Sequence, residues 1–302
     1  MKKFLLESAV FLTIIFVSFY LIALKADGYT DPFYVRYTTK KQQSMVIGTS
    51  RAAQGIHPAV LNEILGRTDF FNYSFTITSS PYGPAYLNSI KRKLDPETKD
   101  AIFILAVDPW SISTNSKYPE DSSQFRENRQ FMGKTRFVNM YPNIPYLIDS
   151  YGKPLYTLII KPKTSMFLHD DGWLEVTMWM DSSAVKKNID KKMVDYRTKN
   201  LVDFKFSKSR LRFLEKTIEF LKPHGKVYLV RLPVHPLMME IDSIHMPDFE
   251  KYIKPICEKT NTPYLNLTHM NSKFIYTDGN HIYKESGALV TKVIADWIVE
   301  LQ

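Results

Sequence analysis

Residues 45–55 read MVIGTSRAAQG. A short β-branched and apolar run stops at Gly48, and two hydroxyl residues and an arginine come directly after it. The run suits a buried strand. The Gly-Thr-Ser-Arg turn has two readings. In one, Ser50 is a residue at the start of a helix, a place serine favours because its oxygen can accept from the free N–H groups there. In the other, Ser50 is a nucleophile held up at the end of a sheet. The rest of the chain decides which applies.

Downstream, strand-like and helix-like stretches alternate. FFNYSF comes next as a second strand, and SSPYGPAYLNSIKRKL as a helix opened by proline and glycine. AIFILAV, residues 101–107, is a continuous apolar run, as expected of a strand covered on both faces. HGKVYLVRLPV and TPYLNL supply a fourth and a fifth strand. Helical spacing is read from Pro58 onward, over residues 207–222, in PDFEKYIKPICEKT, and in the closing stretch SGALVTKVIADWIVELQ. There Val290, Val293, Ile294, Trp297, Ile298 and Leu301 recur at steps of three and four and form the expected apolar face. Such alternation implies an α/β three-layer sandwich, a five-stranded parallel sheet with helices on both faces. Between Trp110 and Ser207 the pattern breaks, so residues 111–206 are read as a cap-like insertion beside the carboxyl edge of the sheet.

The N-terminus carries a different signal. Residues 8–24 hold no charge, and only Glu7 interrupts the apolar run from Phe4. That length suffices for a membrane span. No small-x-small cleavage site comes after it, so an uncleaved anchor over residues 1–25 is expected rather than a secretory signal. Lys2 and Lys3 before the run, against Lys25 after it, place the N-terminus in the cytoplasm and the remainder outside. Residues 26–43 read as a juxtamembrane linker, leaving 44–302 as the folded domain.

Composition narrows the chemistry. Of 302 residues, 44% are hydrophobic and 24% charged, as in a globular protein with a true core. Cys257 is the sole cysteine, which excludes an intrachain disulfide framework and a thiolate metal cluster; it reads as a packed residue on a helix face. The formal charge of +9 suits an anionic polymer or membrane surface. The basic residues are scattered and no zinc-finger, RNA-binding sheet or arginine-rich signature accompanies them, so nucleic acid is not expected. His169-Asp170-Asp171 is contiguous, without the i, i+4 histidine spacing that sets two metal ligands on one helix face. It reads as a solvated turn, and the Lys186-Lys187 and Lys191-Lys192 pairs as a solvated face, or one that meets an anionic glycan or lipid head group. No metal or cofactor is expected.

In open α/β sheets, sites lie beyond the carboxyl ends of the strands. Ser50, Asn72, Asp108 and His235 all fall at such ends. The last strand leads into FIYTDGNHIYKESG, where Asp278 and His281 stand three residues apart. A serine needs a base to take its proton, and a histidine needs a carboxylate to fix its tautomer. One loop offers both. Taken singly, each has a plainer reading: Asp278 as a turn residue before Gly279, His281 and His235 as loop histidines, Asp108 as a cap before Pro109.

Strand-Gly48-Thr49-Ser50 near the start and Asp278-Gly279-Asn280-His281 near the end resemble the SGNH (GDSL-like) hydrolase and acyltransferase superfamily, in order and spacing over about residues 44–302. The Gly-x-Ser-Arg form and the N-terminal anchor resemble its membrane-anchored, extracytoplasmic branch, that of the D-alanyl-lipoteichoic acid and alginate O-acetylation proteins. The resemblance implies a flavodoxin-like sandwich, with Ser50 as nucleophile, His281 as base and Asp278 as its orienting partner. It also implies an oxyanion hole near Asn72, Ser74 and Asp108, where Ser74 replaces the usual glycine and Asp108 the usual asparagine. Arg51 is then a partner for Asp108, or Asp108 binds a substrate group, and His235 lines the cleft. The activity implied is acyl transfer or ester hydrolysis on an envelope polymer or glycan, beside a multi-pass membrane acyltransferase that delivers the acyl group. The alternatives are an inactive subunit that binds polymer or that partner, and a plain esterase.

Overall fold

The computed structural model describes residues 1–79 and 82–302. Five strands build the central sheet: β1 (Met45–Ile47), β2 (Phe71–Asn72), β3 (Ala101–Ala106), β4 (Gly225–Arg231) and β5 (Tyr264–Asn266). All pair in parallel, in the order β2-β1-β3-β4-β5. The expected α/β sandwich is the observed one. All six residues of β3 are buried, because it is the middle strand and both its faces are covered.

The period of two along each strand sorts the core into two layers. Met45, Ile47, Phe103, Leu105, Val227 and Leu229 face one side. There they meet α4 (Pro84–Lys93), α6 (Lys208–Leu221) and α8 (Phe249–Thr260). Val46, Ile102, Ile104, Tyr228 and Val230 face the other side, under α2 (Ser50–Gly55), α3 (Pro58–Ile64) and α9 (Lys284–Glu300). Of the residues assigned to the apolar face of α9, Val290, Ile294 and Ile298 are fully buried and Val293 and Trp297 pack at the margin, while Leu301 is exposed. The helix ends at Glu300, so Leu301 lies beyond the stripe.

Two local expectations change. The helix after β1 begins at Ser50 and not at Pro58: Thr49 is its N-cap, and α3 opens separately with Pro58 in its first turn. The stretch expected as a linker is packed, since Tyr34, Val35, Arg36 and Tyr37 form a buried 3-10 turn. The Arg36 guanidinium donates to the carbonyls of Asn72, Pro32 and Gly172, and it sits over the Phe75 ring. Three carbonyl acceptors and a ring face hold the charge, with Asp171 acting on it from a distance, a solution the run of mixed residues does not announce.

The 111–206 insertion closes on itself at its base, where Ser113 and Thr114 pair antiparallel with Lys205 and Phe206. Part of it is a hairpin, Met166–Leu168 with Leu174–Val176, turned at Gly172. The rest includes α5 (Ser182–Asp195). Met193 of α5, with Tyr196 and Phe204, packs on Trp110, Val234 and on Met238 and Ile241 of α7 (Pro236–His245), forming a separate apolar cluster. Ahead of the domain, α1 (Lys2–Ala23) is one helix long and apolar enough to cross a membrane, and nearly all its side chains are exposed.

Asn72 shows how the strand ends hold the helices. Its Nδ2 donates to the carbonyls of Ala52 and Ile56, both at 2.9 Å, and its Oδ1 accepts from the Ser74 N–H. It therefore ties α2 to β2. Asn72→Ala is expected to cost about 1–3 kcal/mol, because buried polar groups lose partners. A lower urea midpoint at unchanged slope would show it.

Candidate functional site

At the end of β1 the chain must turn into α2 within two residues. Gly48 allows this because the strands crowd there: a Cβ on it would lie 2.9 Å from the Cβ atoms of both Ala106 and Ala52. The Gly48 N–H donates to the Tyr86 hydroxyl, which in turn donates to the Tyr73 carbonyl. The turn is thereby tied to α4 and to the chain leaving β2. Ser50 is the first residue of α2, half-buried, with its side chain at the carboxyl edge.

The loop before α9 comes to meet it. Asp278 folds that loop by accepting the N–H groups of Asn280 and His281 on its Oδ1, both at 3.0 Å. Gly279 between them has φ of +79°, a region that favours glycine. The Gly279 carbonyl accepts the N–H of His235 at 3.0 Å. This places His281 with Nδ1 3.0 Å from both oxygens of Asp278, and Nε2 2.9 Å from the Ser50 Oγ. With the proton on Nδ1 facing the carboxylate, Nε2 is left as an acceptor for the serine hydroxyl.

Charge supports that assignment. Burial pushes the Asp278 carboxyl up, but the His281 ring at 3.0 Å and the Lys192 ammonium at 2.9 Å outweigh it and hold the group well below its ordinary range. Lys192 comes from α5 of the insertion. One lysine of the tract expected to be a solvated face thus belongs to the site, and a Cβ on Gly279 would also strike Met193 of the same helix.

Asn280 and Arg51 form a second, buried layer. The Arg51 Nε donates to the Asn280 Oδ1 at 3.0 Å, which turns the amide so that its Nδ2 lies 3.2 Å from the His281 Nε2. The guanidinium fork of Arg51 grips both oxygens of Asp242, at 2.8 and 3.0 Å, and the Trp110 indole N–H adds a third donor at 2.7 Å. Burial opposes the Arg51 charge, yet Asp242, with Asp108 nearby, raises its pKa above the ordinary arginine value.

Arg51 thus bonds Asp242, 191 positions away, and not Asp108. Asp108 instead caps its own turn, Oδ1 accepting the N–H groups of Trp110 and Ser111, while Oδ2 has a long contact of 3.4 Å with the Thr49 hydroxyl. Burial pushes its carboxyl up, against the pull of Arg51 and with the push of Asp242. The Ser74 N–H, expected to face an oxyanion, is bonded to the Asn72 Oδ1 at 3.1 Å. Asn72 and Ser74 are therefore structural neighbours of the site. His235 caps α7 through its Nδ1, its ring edge-on to Tyr276. It borders the loop of Asp278 without touching the Ser50–His281 pair. His169, Asp170 and Asp171 lie at the hairpin turn, with His169 on Glu175, and the described residues contain no cluster able to hold a metal ion.

An α/β sheet with serine, histidine and aspartate in hydrogen-bonded sequence at its carboxyl edge is an arrangement suited to nucleophilic acyl chemistry. Comparison with known proteins adds likeness only. No family model matches the chain, and no curated protein does. Among solved structures, the chain is similar to Est24, a carbohydrate acetylesterase from Sinorhizobium meliloti, at 11% identity and a TM-score of 0.42, over 87% of this chain and 100% of that one. It is also similar to the native aryl esterase of M. smegmatis, at 10% identity and a TM-score of 0.39, over 86% and 100% of the two chains.

Asp242 and Lys192 carry no sequence signal of their role, because nothing in their spacing ties them to Ser50. Asn280 stands inside the loop of Asp278 and His281, and that neighbourhood is the one signal available for it. The lowered Asp278 carboxyl has a pH signature. A carboxylate with a depressed folded-state pKa adds stability above the ordinary carboxylate range, and that stability is lost as pH falls through the folded-state value. Asp278→Asn is thus expected to lower the denaturant midpoint at neutral pH, with the gap to the parent protein closing as the solution is acidified. A gap independent of pH would refute the charged form.

Proposed function

We infer that this protein is a serine acyltransferase or esterase of the SGNH type, anchored in a membrane by α1 and acting outside the cytoplasm on O-acyl groups of an envelope polymer or glycan. The observation that carries the reading is the 2.9 Å contact between the Ser50 Oγ and a His281 whose other nitrogen rests on Asp278. In the inferred reaction, the Ser50 proton passes to the His281 Nε2 as Oγ bonds to the carbonyl carbon of an ester or thioester. The carbonyl electrons move onto its oxygen. Collapse of the tetrahedral intermediate expels the leaving group, protonated by His281, and leaves an acylated Ser50. An acceptor hydroxyl, from a sugar or from water, then gives its proton to His281 and bonds to the acyl carbon, and as the bond to Ser50 breaks His281 returns that proton to the departing Oγ. Asp278 stays ionised and stabilises the imidazolium.

With the Ser74 N–H engaged elsewhere, the donors for the developing oxyanion are the Ser50 N–H, free of an intrahelical acceptor in the first turn of α2, and the second N–H of the Asn280 Nδ2, whose other contact is the His281 Nε2. The net charge of +9 suits an anionic polymer. The two lysines before α1's apolar run against one after it support the extracytoplasmic orientation, and a multi-pass membrane partner is the inferred donor of acyl groups. The second reading is a non-catalytic subunit of the same fold that binds polymer or that partner. It is favoured by two observations: the Ser74 N–H is committed to Asn72, and a carboxyl stands at Asp108.

A fluorophosphonate probe on the detergent-purified protein separates the two. The enzyme reading expects an adduct on Ser50 by mass spectrometry, lost in Ser50→Ala and His281→Ala. The same probe leaving folded protein unlabelled would move the assignment to the binding subunit. Where p-nitrophenyl acetate is turned over, Asn280→Ala is expected to lower kcat by about 10²–10³, the usual cost of one oxyanion donor.

A further inference from the structure

We propose that the segment 141–163 of the insertion is a membrane-docking surface that lies at the boundary between head groups and acyl chains of the bilayer entered by α1. The proposal rests on the reading of α1 as a membrane span.

Length is the first argument. At 1.5 Å per residue the 22 residues of α1 extend about 33 Å, little more than the roughly 30 Å hydrocarbon core. A helix this short has no spare turns to hold the domain clear of the lipid. The domain nevertheless packs against α1 near its C-terminal end. The segments Ile144–Asp149 and Leu155–Leu158 adjoin it, and Ile144 shares an apolar crevice with Phe16, Val17 and Tyr20. With Leu12 and Thr13, which line the same crevice, these positions lie three to eleven residues before Ala23, and the shallow end at Tyr20 is roughly 5 Å short of the helix end. Elements that flank α1 at the Tyr20 end share its depth, and about 5–10 Å is how far interfacial elements sink into the head-group and acyl boundary.

The surface chemistry agrees. Along this segment Tyr141, Ile148, Tyr156, Ile159 and Ile160 are exposed, the last two by 59% and 72%. So many exposed large apolar side chains in one short segment are unusual for a stretch that meets only water. Tyrosine suits the interface because one end of its ring is wet. Lys153 and Lys163 are exposed on the same stretch, placed to meet anionic head groups while their stems lie along the apolar surface. Lys161 pairs with Asp27 just beyond α1, and the Tyr141 hydroxyl donates to the Leu24 carbonyl at 3.0 Å. Both contacts pin the stretch to the point where the helix leaves the membrane.

The test uses the full chain with Cys257→Ser, so that one added cysteine carries an environment-sensitive fluorophore. Ile160→Cys reports the docking surface and Phe16→Cys the helix. Leu289→Cys is the control, since α9 lies on the face of the sheet opposite the layer that α1 adjoins. Each is reconstituted at about one protein per vesicle in phosphatidylcholine and phosphatidylglycerol with brominated acyl chains. The expected result is quenched, blue-shifted emission at Phe16 and Ile160 and none at Leu289. Adding Lys153→Glu and Lys163→Glu should weaken quenching at Ile160 and leave Phe16 unchanged. Quenching at Phe16 with none at Ile160 would overturn the docking surface and keep the anchor, leaving a protein partner as the cover for this face. No quenching at either position would overturn the anchor and the docking surface with it.

Discussion

The buried pair of Arg51 and Asp242 sets the constraint around which the site is arranged. Both side chains are almost fully out of solvent, with 5% and 1% exposed. Charges so placed persist only when each is met by several donors or acceptors, and removing one partner leaves the other uncompensated. Arg51 reaches Asp242 with two nitrogens and Asn280 with the third, while Asp242 also receives the Trp110 indole. One ion pair thus joins α2 beside Ser50, the chain beyond β3, α7 and the loop of His281. The orientation of the Asn280 amide, whose Nδ2 lies 3.2 Å from the His281 Nε2, depends on how this charge is satisfied.

Around that pair, negative charge is distributed unequally. Asp242 is met by the Arg51 fork and the Trp110 indole. Asp278 is held ionised by His281 and by Lys192, which only the insertion can supply. Asp108 is the carboxyl left over: burial raises it, and its Oδ1 is committed to two backbone N–H groups. Residue type is the same in all three; the neighbours set the difference. The insertion is part of this arrangement, since α5 both charges the site through Lys192 and packs over Gly279 through Met193.

The strands are legible because burial on both faces leaves an uninterrupted apolar run, as in AIFILAV. The pairing of Ser50 with Asp278 and His281 is legible because strand ends in such sheets converge on one edge. The start of α2 is hidden because SRAAQG is a single helical turn and a half, too short for any period to show. The packed 34–37 turn resembles a linker because its arginine is buried against carbonyls and an aromatic face, partners that carry no sequence mark. Asp108, at a strand end, is the obvious carboxylate for Arg51. Asp242, its true partner, lies in a helix with nothing in its own spacing to single it out.

By itself the sequence determined the alternation of strands and helices, the apolar N-terminal helix and the two loops that carry serine, aspartate and histidine. These are local properties, set by side-chain period, glycine placement and residue type. Only the tertiary structure decided the partners: Asp242 for Arg51, Lys192 for Asp278, Asn72 for the Ser74 N–H, and the flank of α1 for the 141–163 segment. The reason is physical. Burial turns each polar group into a demand for a partner, and that demand is met by whatever the packed chain brings within about 3 Å, at sequence separations no local pattern encodes.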